Sequence, residues 1–246
     1  MPLLNDPNMQ THNAEGSAYG FSAVGVDTLG ASEYTLVTIV VDVSGSVASF
    51  RNEIENCVKT VVKTCQHSPR ADNLMIRLVT FDDNVQEAHG YKPLSEINVD
   101  DYNGIIRPGG LTALFDAAQN AIASLTQYGQ DLVDQDYEAN AIAFVITDGA
   151  DNRSTLTAAE VAKALTNAVQ SEALESIRSV LVGVDGSGQV DSYLQKFQKE
   201  AGFDQYVGIG GATESSLAKL ADFVSRSISA QSQALGTGGP SQSLSF

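Results

Sequence analysis

The chain has 246 residues, and its 30 acidic against 14 basic side chains leave a formal charge of −16. That balance argues against nucleic acid, whose binding needs Lys and Arg to neutralise phosphates, and against an anionic membrane surface. With 43% hydrophobic residues the chain can bury a sizeable core without disulfides or structural metals.

Residues 1–33 read as an N-terminal arm, partly disordered, with its first dozen residues mobile and 18–30 lying on the domain surface. The organised part begins at Tyr34. Residues 34–42 (YTLVTIVVD) are β-branched and apolar, the composition of a central strand covered on both faces. A helix is expected from Val47 to about Gln66, followed by a strand over Leu74–Phe81. Asp82-Asp83-Asn84 has turn chemistry, and Val85–Tyr91 returns as a hairpin partner. Residues 92–112 are mostly irregular and include the breaker Pro108-Gly109-Gly110. Helix Ala113–Tyr128 leads through an acidic connection to strand Ala139–Thr147. Thr157 with Glu160 three residues on forms a capping box that opens a helix to about Leu174. Strand Ile177–Val184, helix Val190–Glu200, strand Gln205–Ile209 and helix Thr213–Gln231 complete the series. Residues 232–246 are rich in Gly, Ser and Gln, carry no charge, and read as a flexible tail. The alternation over 34–231 predicts an α/β domain. Its sheet is expected to be doubly wound, six-stranded and mainly parallel, with one antiparallel edge strand and helices on both faces.

Cys57 and Cys65 are eight residues apart in one predicted helix. They would lie about 12 Å apart, too far for a disulfide, which suits a reducing compartment. No basic-then-apolar leader is visible, and no apolar run approaches the ~20 residues that span a bilayer. The expected location is therefore cytoplasmic.

In such sheets, chemistry gathers in loops beyond the carboxyl ends of the strands. Three loops stand out: Asp42-Val43-Ser44-Gly45-Ser46, Gly109-Gly110-Leu111-Thr112 and Thr147-Asp148-Gly149. Asp42, Ser44, Ser46, Thr112 and Asp148 offer two carboxylates and three hydroxyls. These hard oxygen donors, with no His or Cys, suit Mg²⁺ or Mn²⁺, with Ca²⁺ also possible. Two carboxylates leave a dication with unmet charge, which an outside acidic group can satisfy.

The ordered set Asp-x-Ser-x-Ser, a distant Thr and a distant Asp-Gly resembles the metal-ion-dependent adhesion site of the von Willebrand factor type A domain family. Phe81-Asp82, Pro93-Leu94, Gly109-Gly110 and residues 113–117 (ALFDA) extend the likeness, which covers about 34–231. The resemblance implies a Rossmann-like fold. It implies metal contact by Ser44, Ser46 and Thr112, with Asp42 and Asp148 acting mainly through water. It further implies a protein partner supplying Asp or Glu, within a multi-protein system that can include an AAA-type ATPase.

Other readings are weaker. Asp42 at the end of a strand loosely resembles an aspartyl-phosphate nucleophile, but Ser44 stands where a phosphatase would carry its general acid. A structural subunit with a merely stabilising metal is the remaining alternative. No catalytic set emerges, and we expect a binding protein rather than an enzyme. His12, His67 and His89 match no ligand spacing, and Gly208-Ile209-Gly210-Gly211 lacks dinucleotide-loop spacing. Asp151, Asn152 and the acids at 131–138 read as solvated loop residues, and the last four residues (SLSF) as a disordered end.

Overall fold

A computed structural model describes residues 2–4, 6–184 and 188–246. The strands are β1 (Met9–His12), β2 (Phe21–Val24), β3 (Glu33–Asp42), β4 (Leu74–Phe81), β5 (Val85–Pro93), β6 (Glu138–Thr147), β7 (Ile177–Val184) and β8 (Gln205–Ile209). The helices are α1 (Arg51–Gln66), α2 (Leu114–Val133), α3 (Ala158–Gln170), α4 (Asp191–Ala201) and α5 (Glu214–Thr237). The sheet order is β1-β2-β5-β4-β3-β6-β7-β8, with β4, β3, β6, β7 and β8 parallel and β5 antiparallel to β4. The expected α/β, doubly wound, mainly parallel sheet is present, and it holds eight strands rather than six. β5 is also not an edge, because β2 pairs beside it.

Strand side chains alternate between two cores, as a period of two requires. Val37, Ile39 and Val41 of β3 face α1 and α5, together with Ile54, Val58, Val61, Leu220 and Val224. Leu36 and Val40 face α2, α3 and α4, with Ala118, Leu125, Val161 and Leu194. β3 lies between β4 and β6, where the strand order reverses, so the loops after β3 and β6 diverge and leave a crevice.

The arm departs most from expectation. β1 and β2 form an antiparallel hairpin, and β2 is buried along its whole length. Tyr128 Oη donates to the Val24 carbonyl at 2.9 Å, and the Asn120 amide donates to the Tyr19 carbonyl at 2.8 Å. Gly90 makes the docking possible, since a Cβ there would sit 2.0 Å from the Ser22 carbonyl oxygen. Two four-residue strands carry too little periodicity to stand out in sequence, and a neighbouring edge decides their pairing.

Beneath the arm, Arg77 lies in the middle of β4 and is only 1% exposed. Its Nε meets Glu87 at 2.5 Å, and its terminal nitrogens donate to Ser124 at 3.0 Å and Asn120 at 2.9 Å. Glu87 also accepts from the Ser22 backbone N–H at 3.1 Å. The guanidinium stands over the rings of Phe21 and Tyr91, 5.8 and 5.9 Å from their centroids. One cation thus joins β2, β4, β5 and α2.

The tail also packs. α5 continues six residues beyond the expected Gln231 and ends at Gly238 in the left-handed region. Arg178 then donates to the Ser241 carbonyl at 2.6 Å, Gln205 to the Leu244 carbonyl at 3.0 Å, and Phe246 sits edge-on to Phe223. An uncharged tail can lie across apolar surface without a desolvation penalty for charge.

Two predictions follow from the buried polar groups. Arg77→Met leaves Glu87 without its cation, which should cost about 3–5 kcal/mol, while Arg77→Met with Glu87→Gln should recover much of that loss. Urea unfolding of the single and double variants measures both, and a single variant as stable as the double would refute the role given to the ion pair.

His89 is buried between Gly90 and Tyr102. A carbonyl only accepts, so Nδ1 carries the proton toward Gly90 O (2.9 Å) and Nε2 accepts from Tyr102 Oη (2.6 Å). Burial lowers its pKa to about 4, and Lys92 and Arg77 push the same way. The unfolded chain binds a proton near pH 6.5 and the folded chain only near pH 4, so stability falls as pH drops through that window. The expected loss is about 3 kcal/mol. Chemical unfolding at pH 7 and pH 4.5 should show a smaller pH effect in His89→Gln than in the parent.

Candidate metal centre

The candidate residues come from three loops at the carboxyl end of the sheet. β3 ends on Asp42, which is 2% exposed. Its Oδ1 accepts the Ser44 backbone N–H at 2.7 Å, and its Oδ2 accepts the Thr147 hydroxyl at 2.6 Å. The chain then turns through a short 3-10 segment, Gly45–Ser49, before α1 begins at Arg51. That turn brings Ser44 Oγ within 3.1 Å of Ser46 Oγ. Ser46 in turn donates to Asp148 Oδ1 at 2.9 Å, across 102 residues of sequence. Asp42, Ser44, Ser46 and Asp148 are thus linked by hydrogen bonds, with Thr147 closing the chain behind them.

Thr112 completes the group from the second loop. A Cβ on Gly149 would stand 3.4 Å from Thr112 Oγ1, so the threonine hydroxyl faces the turn that carries Asp148. Its backbone is clamped by Asn152: Thr112 N donates to Asn152 Oδ1 at 2.8 Å, and Asn152 N donates to the Thr112 carbonyl at 3.0 Å. The first and second loops are stitched by Gly109 N to Val43 O at 2.9 Å and by Gly45 N to Gly110 O at 3.3 Å. Gly110 has φ +66°, and Asp83 Oδ2 lies 2.6 Å from where its Cβ would be, so a side chain there is excluded by both strain and space.

Several supporting residues were not legible in the sequence. Thr147 reads there as the last residue of a strand, yet its buried hydroxyl orients Asp42. Asn152 and Asp151 differ from the expected solvated loop residues: one holds Thr112, and the other accepts the Phe115 N–H at the start of α2 at 3.3 Å. Asp82 and Asp83 do form the expected hairpin turn, with Asp82 Oδ1 accepting from Asn84 N at 2.9 Å. They also serve the second loop, through Ala113 N to Asp82 O at 2.8 Å and Leu111 N to Asp83 Oδ1 at 3.3 Å. Position beside a motif was the only available signal for all five.

Electrostatics give the cluster its chemical character. Burial pushes the Asp42 carboxyl up to about 6; the hydrogen bonds from Thr147 and Ser44 work against that, and Asp148 adds a little to it. No cation figures among the influences on Asp42. The arrangement holds a desolvated carboxylate, a second carboxylate and three hydroxyls, the donor set of a hard dication, and a cation among them would supply the missing counter-charge. Ser46, Gly110 and Leu111 are exposed, so the mouth opens to solvent. Among the described residues no group of three or more His, Cys, Asp and Glu is placed to hold an ion, so the oxygen set is of a different kind from a zinc cluster. Cys57 and Cys65 are free and buried in α1, with burial pushing both thiols up to about 12.

No curated protein matches the chain by sequence. Among solved structures, the PilB minor pilin from Streptococcus sanguinis aligns over 88% of this chain and 66% of its own, with 15% identity and a TM-score of 0.58. The pilus adhesin SpaC from Lactobacillus rhamnosus GG aligns over 92% of this chain and 36% of its own, with 11% identity and a TM-score of 0.55. Proximal thread matrix protein 1 from the mussel byssus, in a form with a zinc-occupied MIDAS motif, aligns over 80% and 46%, with 16% identity and a TM-score of 0.52. The chain therefore spans less than two thirds of the pilin and under half of the other two. At these identities the likeness is one of fold. No helix among the described residues is long and apolar enough to cross a membrane. The von Willebrand factor type A domain model matches residues 37–223, from Val37 in β3 into α5, and the chain belongs to that family.

Proposed function

We propose that the chain is a divalent-metal-dependent protein-binding module. Asp42, Ser44, Ser46, Thr112 and Asp148 hold Mg²⁺ or Mn²⁺, and a partner's Asp or Glu completes the coordination shell. The observation that carries this reading is the hydrogen-bonded run from Asp42 through Ser44 and Ser46 to Asp148, with the Thr112 hydroxyl beside it and the mouth open to solvent. Oxygens crowded around an uncompensated buried carboxylate bind a hard cation well and hold themselves apart poorly without one. The metal-loaded byssus neighbour supports use of this fold position for a divalent ion. We place the module in the cytoplasm, within a multi-protein assembly of the kind that includes AAA-type ATPases. The free, buried cysteines fit that setting.

Calorimetric unfolding with and without Mg²⁺ tests the metal. A hundredfold excess over Kd should stabilise the protein by about 2.7 kcal/mol and raise Tm by roughly 5–10 °C, and Asp42→Ala should abolish the shift. Adding a carboxylate-bearing peptide should then tighten metal binding. Stabilisation by metal with no carboxylate synergy would favour the purely structural role. Stoichiometric phosphorylation of Asp42 would favour phosphoryl transfer.

A further inference from the structure

The end of the sheet opposite the metal centre holds a second set of oxygens. A cavity of about 300 Å³ lies there between the start of β6, the residues that lead into β7 and the end of α5. Glu138, Asn140, Glu175 and Ser176 line it from the sheet, and Gly238 and Gly239 line it from the helix end. The ten residues of β6, about 30 Å of extended chain, separate this cavity from the loop that carries Asp148.

Asn140 is 1% exposed. Its Nδ2 donates to the Gln231 carbonyl at 2.8 Å, and because a carbonyl only accepts, that bond fixes which way the amide faces. Asn140 Oδ1 is then left buried with no donor among the described residues. Gln231 of α5 repeats the pattern. Its Nε2 is shared between the Ala141 carbonyl at 3.1 Å and Ser176 Oγ at 3.0 Å, and its Oε1 has no donor among the described residues either. Buried polar atoms in folded proteins are nearly always paired, so two amide oxygens left over in one place mark a position that a positive group completes.

The charges around the cavity select the occupant. Glu138 and Glu175 are exposed at its mouth, and no basic side chain lines it among the described residues. The bases of this region are engaged elsewhere: Arg70 pairs with Glu33, while Arg178 pairs with Asp204 and donates to the Ser241 carbonyl at 2.6 Å. α5 ends at the cavity with its cap at Gly238, so the negative end of the helix dipole adds to the two carboxylates. Charged, amide and hydroxyl oxygens in one loosely built wall suit Ca²⁺, which takes six to eight oxygens in flexible geometry, better than Mg²⁺, which demands a near-ideal octahedron. A bare ion also reaches a recessed amide oxygen more readily than the bulkier ammonium of a lysine. We propose that this cavity is a calcium site, with Glu138, Glu175 and Asn140 Oδ1 as its protein ligands and water filling the remaining positions. The ion would fasten the end of α5, and the tail that Ser241 Oγ ties to Ser176 Oγ at 2.6 Å, to the starts of β6 and β7. The site stands independently of the metal reading at Asp42.

Asp42→Ala separates the two sites. In that variant Ca²⁺ at tenfold over its Kd should raise Tm by about 3–5 °C, while the same concentration of Mg²⁺ leaves Tm unchanged. Hydrogen exchange across residues 232–246 should slow by up to about tenfold in Ca²⁺. Glu138→Gln with Glu175→Gln, both at exposed positions, should lose both calcium responses and keep the Mg²⁺-dependent Tm shift that Asp42 supports. If Ca²⁺ does nothing to Asp42→Ala, or if its effect survives the double substitution, the calcium site is overturned and the reading at Asp42 is untouched. Equal stabilisation of Asp42→Ala by Mg²⁺ overturns the assignment to calcium. Should Asp42→Ala not fold, equilibrium dialysis in excess Ca²⁺ decides the matter: the double variant must bind one ion fewer per chain than the parent, and equal binding refutes the site.

Discussion

A carboxylate held out of water at the end of the central strand sets the terms for the rest of this molecule. Asp42 sits where β3 and β6 part, under the Thr147 hydroxyl and the Ser44 amide. Burial makes its charge costly, and no cation of the described residues figures among the influences on it. Such a group is stabilised by a proton or by a cation, and in the proposed function the Ser44, Ser46, Thr112 and Asp148 oxygens would share that cation with it. The parallel sheet makes this possible, because strand order reverses between β4-β3 and β6-β7 and the following loops cannot close over the gap.

The second buried charge is solved in the opposite way. Arg77 is surrounded by its own partners, Glu87, Ser124 and Asn120, and by two aromatic faces. It gains nothing from a ligand and instead joins the arm to the body of the sheet, since Glu87 also holds Ser22. One internal charge is thus satisfied within the fold, and the other is left to the site. The arm secured in this way lies outside the family match, which begins at residue 37.

Charge at the scale of the whole molecule reinforces that division. An excess of acid helps draw a cation to the crevice and disfavours a uniformly acidic partner.

The amino-acid sequence determined the alternating strands and helices from Tyr34 onward, because buried parallel strands and amphipathic helices leave strong local periodicities. It also showed the five oxygen donors, because their spacing within each loop is local, and the likeness to a known family put the three loops together. Tertiary structure decided what local pattern does not encode. β1 and β2 are four residues each, and β2 docks beside β5 where Gly90 leaves room for Ser22. The tail lies on the domain because Arg178, Gln205 and Phe223 meet it there. Thr147 and Asn152 acquired their roles through hydrogen bonds to Asp42 and Thr112, 105 and 40 residues away. A periodicity is visible along one segment, whereas a hydrogen bond between distant loops exists only once the fold has brought them together.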